Sequence, residues 1–445
     1  MKKFFDTLKN IWEVEELRKR ILLTLGLILV YRLGSFILLP GIDTNALQSY
    51  YSAGQLGGLG DILSLFSGGA FSNASIMALG IMPYISASII MQLLGMALPM
   101  VQKLREEGQS GQNKINNYTR ILTIVICAVQ GPVYISQYVG SAPGAIVDNG
   151  PLWWIQAVTL LIAGSFFAMW LGERITEKGL GNGISLLITV GILAGLPAAL
   201  VQEVVNSSPF AIVVEVIVFF AVILATVLIV QGVRKIPIQY AKRVAGARGA
   251  GEQGAREYLP IKLNSAGVMP IIFAQAIMTI PLAVISNTEG SNWMTDLGLA
   301  NPFGFGYNLL MFVLIVLFTY LYTAITISPK KIAEDMRRNG GFVPGIKPGT
   351  DTADHIDTLL SRITLPGSVS LAIIAILPAF AHMANVGDGF AMFFGGTSLL
   401  IMVGVVLDTL QQLESYLLNR HYDGLMEGNK IRGRRAEGVS NSNVI

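Results

Sequence analysis

Cysteine and histidine are nearly missing: the 445 residues hold one Cys and three His. Cys127 has no partner for an intrachain disulfide or a CxxC pair. His355, His382 and His421 with that one thiol do not make a spaced tetrahedral metal set. Charge is equally scarce. Asp, Glu, Lys and Arg make up 13% of the chain, against ~25% in soluble domains, while hydrophobic residues make up 52%. A soluble multidomain protein is excluded, and a polytopic membrane protein remains.

Nucleotide motifs are absent too. Gly249-Ala250-Gly251-Glu252-Gln253-Gly254 has the GxGxxG spacing, but it follows an apolar span and a basic linker where the fingerprint needs a strand before and a helix after. Gly108, Gly111 and Lys114 miss the phosphate-loop spacing. The apolar spans contain few ionisable residues: Arg32, Arg120, Glu215, Asp408 and Glu414. No acid and base pair among them, so neither an enzyme nor a cofactor or metal site is expected, and an ion-coupled transporter would carry more carboxylates at midplane.

What is present is a series of ten long uncharged stretches, near 21–39, 74–98, 118–139, 152–171, 184–202, 209–231, 266–286, 307–328, 365–383 and 391–418. Each suffices for a helix across about 30 Å of hydrocarbon at ~1.5 Å per residue. All but one of the 31 Lys and Arg lie in the N-terminal segment, the even-numbered loops with their flanks, and the tail; the exception is Arg32, inside span 1. Positive charge is retained on the cytoplasmic side, which puts both termini there.

Ten spans divide into two sets of five, and an odd number per set inverts the second relative to the first. The chain then reads as a cytoplasmic segment 1–20, an N-terminal half 21–203, a C-terminal half 204–420 and a basic tail 421–445. Span 2 carries Gly80-Ile81-Met82-Pro83-Tyr84-Ile85, and span 7 carries Gly267-Val268-Met269-Pro270-Ile271-Ile272. This echo points either to a site at a repeat interface or to an ordinary proline kink in each span.

Between Pro40 and Asn73 lies Asp61-Ile62-Leu63-Ser64-Leu65-Phe66-Ser67-Gly68-Gly69-Ala70-Phe71, too short to span. It reads as a re-entrant helix in a central cavity, near 61–72 and ending at the two glycines, or as an amphipathic helix at the interface. Cytoplasmic loops 232–265 and 329–364 exceed ordinary connections and read as docking surfaces. The first holds Arg234, Lys235, Lys242, Arg243, Arg248, Arg256 and Lys262 against Glu252 and Glu257, an excess suited to an acidic partner or a phosphate backbone.

These residues carry a resemblance. Phe66-Ser67-Gly68-Gly69-Ala70 with Ala78 through Ile90 closely resembles the plug and second span of the SecY family of protein-conducting channels. Gly179-Leu180-Gly181-Asn182-Gly183-Ile184-Ser185 is similar to the family's start of span 5, and Tyr240-Ala241-Lys242-Arg243 to its loop 6. Leu259 through Pro270 is similar to its approach to span 7, Phe342-Val343-Pro344-Gly345-Ile346 to its loop 8, and Gly395 through Ile401 to its span 10.

The resemblance implies an all-α membrane protein of ten helices in two inverted halves around an hourglass pore. Its constriction would be a ring of Ile81, Ile85, Ile184, Ile188, Ile272 and Ile401. The segment Asp61, Ile62, Leu63, Leu65, Phe66, Ser67, Gly68, Gly69, Ala70 and Phe71 becomes the plug. Spans 2 and 7 become a lateral gate, with Pro83 and Pro270 as bending points, Ser86 beside them, and Gln130 and Gln275 as polar contacts across it.

It further implies SecE and SecG subunits, and docking of the SecA ATPase or the ribosome, with its RNA, on Lys242, Arg243, Arg248, Arg256 and Lys347. Lys347 departs from the arginine of many relatives and lacks its planar fork. The expected substrates are polypeptides bearing signal sequences, with apolar segments passing into membrane lipid at the bacterial plasma membrane. The alternative from residues alone is a secondary transporter of a small solute on inverted repeats.

Overall fold

A computed structural model describes residues 14–52, 64, 67–147, 150–240, 257–264, 266–286, 297–299 and 301–428. In chain order, α1 (Glu15–Gly34) forms span 1 and a short α2 (Thr44–Ser52) follows. Span 2 is α3 (Met82–Ala97), continued by α4 (Pro99–Glu106). Span 3 is α5 (Gln109–Tyr134), span 4 α6 (Pro151–Lys178), span 5 α7 (Gly183–Asn206) and span 6 α8 (Pro209–Gln231). After β1 (Val233–Tyr240) and β2 (Glu257–Lys262), span 7 is α9 (Met269–Ser286) and span 8 α10 (Phe305–Thr326). Beyond α11 (Pro329–Arg338) and β3 (Gly341–Phe342), span 9 is α12 (Thr350–Met383). A single turn, α13 (Asp388–Ala391), precedes span 10, α14 (Gly396–Gly428).

Seven of these helices are long and apolar enough to cross a membrane alone, and α3 with α4 makes an eighth, bent by 102°. Extended Leu98 and Pro99 make that bend, because proline cannot continue a helical hydrogen-bond ladder. Together, α1 and α9 complete the expected ten.

Packing repeats between the halves. Span 1 packs on 4, 2 on 3, 3 on 4 and 4 on 5; in the second half 6 packs on 9, 7 on 8, 8 on 9 and 9 on 10. The same neighbours recur five spans later, as inverted repeats require. Spans 5 and 10 join the halves. There the Gly181 N–H donates to Gln412 Oε1 (3.0 Å), the Gly387 N–H to Glu203 Oε2 (3.1 Å), and Arg20 to the Tyr416 hydroxyl (3.1 Å). Span 6 stands apart, burying only Thr226 among its residues.

Several boundaries differ from the hydropathy reading. Span 2 becomes helical at Met82, not near 74, because left-handed Gly68, Gly69 and Gly80 and a positive φ at Ala74 turn the chain throughout 68–81. Span 9 begins at Thr350, so its helix projects below the apolar run. The two echo prolines sit at the second residue of α3 and of α9, each three residues after a left-handed glycine. Proline there completes a helix start instead of kinking a helix, which corrects the expected bending points. Interior prolines are Pro132, Pro197, Pro366 and Pro378, and Pro281 within α9 itself.

The all-α expectation also needs an addition. The two long loops, after spans 6 and 8, share one sheet of order β2-β1-β3, with Val233 opposite Lys262 and Gln239 opposite Phe342. Beneath it Ile236, Ile238, Ile261, Met336, Val343, Ile356, Leu360 and Ile363 form a separate apolar core.

Close helix contacts depend on missing side chains. A Cβ on Gly164 of span 4 would lie 2.1 Å from the Ile76 carbonyl oxygen, whereas one on Gly131 of span 3 would meet only Val158 and Leu161 at ordinary distances. Gly164→Ala is expected to destabilise the protein by about 1–3 kcal/mol through overpacking. Gly131→Ala is expected to be neutral or to stabilise by up to about 1 kcal/mol, since alanine favours a helix interior. Thermal unfolding of the two purified variants in detergent measures the difference.

Candidate functional site

The structure draws the expected constriction residues together. Ile188 and Ile401 are buried in one apolar cluster with Ile192, Phe390, Phe394 and Val405, and Ile85, Ile184 and Ile272 pack against it. Ile81 lies in an adjoining cluster that shares Ile85 and Ile184. Four helices thus contribute, and each does so from its first turns. Ile81 caps α3 and Ile85 follows at its fourth residue, Ile184 and Ile188 are the second and sixth of α7, Ile272 the fourth of α9 and Ile401 the sixth of α14.

These starts have identifiable causes. Asn182 Oδ1 accepts the Ser185 N–H to cap α7 (3.3 Å), and Gly183 packs so closely on span 4 that a Cβ would fall 2.0 Å from the Gly172 carbonyl oxygen. Gly267 and Gly80, both left-handed, deliver the chain into α9 and α3. Irregular backbone of this kind is tolerated at membrane depth only against protein or a water-filled cavity.

Of the plug segment, Asp61, Ile62, Leu63, Leu65 and Phe66 lie outside the described residues. Ser64 and Ser67 are helical, and the Gly69 N–H closes onto the Ser64 carbonyl (2.9 Å) at the left-handed pair Gly68 and Gly69. Ser67 and Ala70 are buried. Phe71 is buried between Tyr134 and Tyr138, with ring centroids 4.8 and 4.7 Å away, and its carbonyl accepts the Tyr134 hydroxyl (2.7 Å). Downstream, Ser75 pairs with Leu38 in an isolated bridge.

Ile89 of span 2 shares one apolar cluster with Ile271, Phe273, Ala274 and Met278 of span 7. Pro83 and Pro270 are buried, Ser86 half-buried, Gln275 buried and Gln130 exposed on span 3. Among the described residues no hydrogen bond joins Gln130 to Gln275. Polar groups gather instead in a cavity of about 370 Å³ beside the two spans, lined by Tyr84, Ser88, Gln92, Gln112, Asn116, Thr119, Phe273 and Tyr322 among others. Sequence reading passed over this group. Its trace was the four-residue spacing, for Gln92 donates to Ser88 Oγ (3.4 Å) and Gln112 to Asn116 Oδ1 (3.2 Å).

Of the expected docking residues, Lys242, Arg243, Arg248 and Arg256 lie outside the described residues. Lys347 is exposed beside β3, and its carbonyl accepts the Thr352 hydroxyl (2.8 Å). Arg120, which the sequence places near the end of span 3, makes a two-bonded ion pair with Glu173 of span 4 (3.1 and 2.7 Å). Cys127 is buried as a free thiol.

The SecY family profile matches residues 75–410. The protein translocase subunit SecY of Thermus thermophilus is 41% identical over 444 residues, covering 96% of this chain and 99% of that protein. Two solved structures share the fold at 18% and 17% identity. One, concerned with the plug domain of the SecY protein stabilising the closed state of the translocation channel, has a TM-score of 0.61; the other, Sec61 in the canine ribosome-channel complex, has 0.59, and each covers 93% of this chain and 94% of its own. With its ten spans in two repeated halves and its four helix starts meeting at a cluster of isoleucines, the chain belongs to the SecY family.

Proposed function

We propose that this protein is the channel subunit of a translocase that moves unfolded secretory polypeptides across the bacterial plasma membrane and releases apolar segments sideways into lipid. The observation that carries this is the convergence of Ile85, Ile184, Ile188, Ile272 and Ile401 on one cluster at four helix starts, with Ile81 adjoining. A narrow apolar collar excludes ions by dewetting and gives a passing chain no polar group to hold it. A small-solute transporter needs a polar site there, and these residues do not provide one.

The plug reading follows from place. Gly68 approaches span 5 so closely that a Cβ would lie 2.9 Å from Gly191 Cα, and Gly191 is one turn beyond Ile188. The segment therefore sits against the collar. Spans 2 and 7 form the lateral gate, and the cavity beside them, where Met91, Leu93 and Phe273 stand among Gln92, Gln112 and Asn116, suits an apolar helix that carries polar ends. The halves 21–203 and 204–420 swing about the connection between spans 5 and 6.

Positive charge on the even loops orients both termini to the cytoplasm. There the sheet fuses loops 6 and 8 into one platform for SecA or the ribosome, which supply the energy; the channel makes and breaks no bonds itself. Lys347 and the four basic residues of loop 6 are the proposed contacts, and SecE and SecG complete the assembly. Span 6 and the outward face of span 1, where Leu22, Leu25 and Leu29 are exposed, offer apolar surface to lipid or to those subunits.

Site-specific crosslinking tests the pore. A photoreactive residue at Ile188 is expected to capture a secretory chain arrested in vesicles, and one at lipid-facing Val213, 57% exposed, is not. Capture at none of the six isoleucines, with translocation confirmed, overturns the collar. Ile188→Ser and Ile401→Ser are expected to raise resting ion leak and relax signal-sequence selection, read by conductance and by export of a signal-defective substrate. Ile238→Asp places an uncompensated charge under the sheet at a cost of about 3–5 kcal/mol. It is expected to reduce motor-driven translocation while leaving resting conductance unchanged, measured on the same vesicles.

A further inference from the structure

Arg32 is the one Lys or Arg set inside an apolar span away from the cytoplasmic flanks. Such a residue is costly in hydrocarbon, and no ion pair to it occurs among the described residues. Its Nη1–H donates to the Gly68 carbonyl (3.0 Å), and its guanidinium lies over the Phe36 ring at 5.5 Å. Gly68, left-handed like Gly69, directly follows helical Ser67. Carbonyls at a helix C-terminus lack intrahelical partners and carry partial negative charge, so a cation there is favoured twice, by the hydrogen bond and by the dipole.

We propose that Arg32 is the latch that holds the plug in its closed seat. This rests on the plug reading above and adds what holds the segment and where it turns. The latch and the pivot are different contacts. Downstream of Gly68, the Tyr134 hydroxyl bonds the Phe71 carbonyl (2.7 Å), the Leu39 N–H bonds the Ala74 carbonyl (3.0 Å) and the Ile76 N–H bonds the Ile37 carbonyl (2.8 Å). Three bonds to two elements fix residues 71–76, so the segment swings about them. Upstream, the bond from Arg32 is the one described side-chain tie from another element to Gly68. Small residues complete the seat, since a Cβ on Gly68 would lie 2.4 Å from Arg32 Nη1. Departure of the plug breaks the Arg32 bond and leaves the pivot bonds in place.

Resting ion efflux from vesicles holding the assembled channel, with no substrate, tests this. Arg32→Met removes a charge-assisted bond from the closed state alone, and efflux is expected to rise about tenfold or more. Arg32→Lys keeps the charge, loses the fork and is expected to fall between the two. Tyr134→Phe weakens the pivot, which is present in both states, and is expected to lower the melting temperature with less than about a threefold change in efflux. Deletion of residues 62–70 is the control for the plug. Efflux from Arg32→Met equal to that of the intact chain, with the deletion leaking, overturns the latch and keeps the plug. A deletion that stays tight overturns the plug reading itself. If Arg32→Met does not assemble, Arg32→Lys, compared with Tyr134→Phe at matched melting temperature, decides the question.

Discussion

Everything in this molecule depends on one requirement: a backbone amide at membrane depth must find its hydrogen bond inside the protein. Unbroken helices meet it locally. Here the chain interrupts helical structure near 68–81, near 264–268 and before Gly396, and each interruption is placed against protein. The Ile76 amide pairs with Ile37, the Ser75 amide with Ala70, and the Ser398 hydroxyl returns to the Met392 carbonyl. A chain that breaks its spans in this way needs an interior to break them into. Two five-helix halves facing one another provide it.

How much of this the sequence disclosed follows from which forces act locally. Hydropathy found the ten spans, because it is a property of single residues counted over a window. The isoleucines are different. Nothing in the composition separates Ile188 from lipid-facing Ile217, and only their motif contexts marked the six. The helix starts at Met82 and Met269 were hidden for the same reason. Gly-Ile-Met-Pro and Gly-Val-Met-Pro are apolar to the eye, and the left-handed turn at each glycine becomes visible only with the backbone.

The sheet that joins the two long loops was legible in principle. Ile236 and Ile238 stand at alternate positions between Lys235 and Gln239, the period of a half-buried strand, and Leu259 and Ile261 do so between Tyr258 and Lys262, a proline separating each pair. The basic residues drew the reading toward electrostatics, and pairing between loops separated by two spans leaves no local trace. Its physical effect is to make two loops one body, so a force on either is delivered to spans 6, 7, 8 and 9 together.

The position of the isoleucines within their helices has a mechanical meaning. Each lies in the opening turns, where a helix holds fewer backbone bonds than in its middle, and on α3 and α9 a glycine free of Cβ constraints sits just upstream. On the proposed channel reading this ring is an iris: its leaves would be helix tips hinged at their bases, and the aperture would widen by small tilts of rigid rods, with no helix unwound and no lasting memory of the chain that passed.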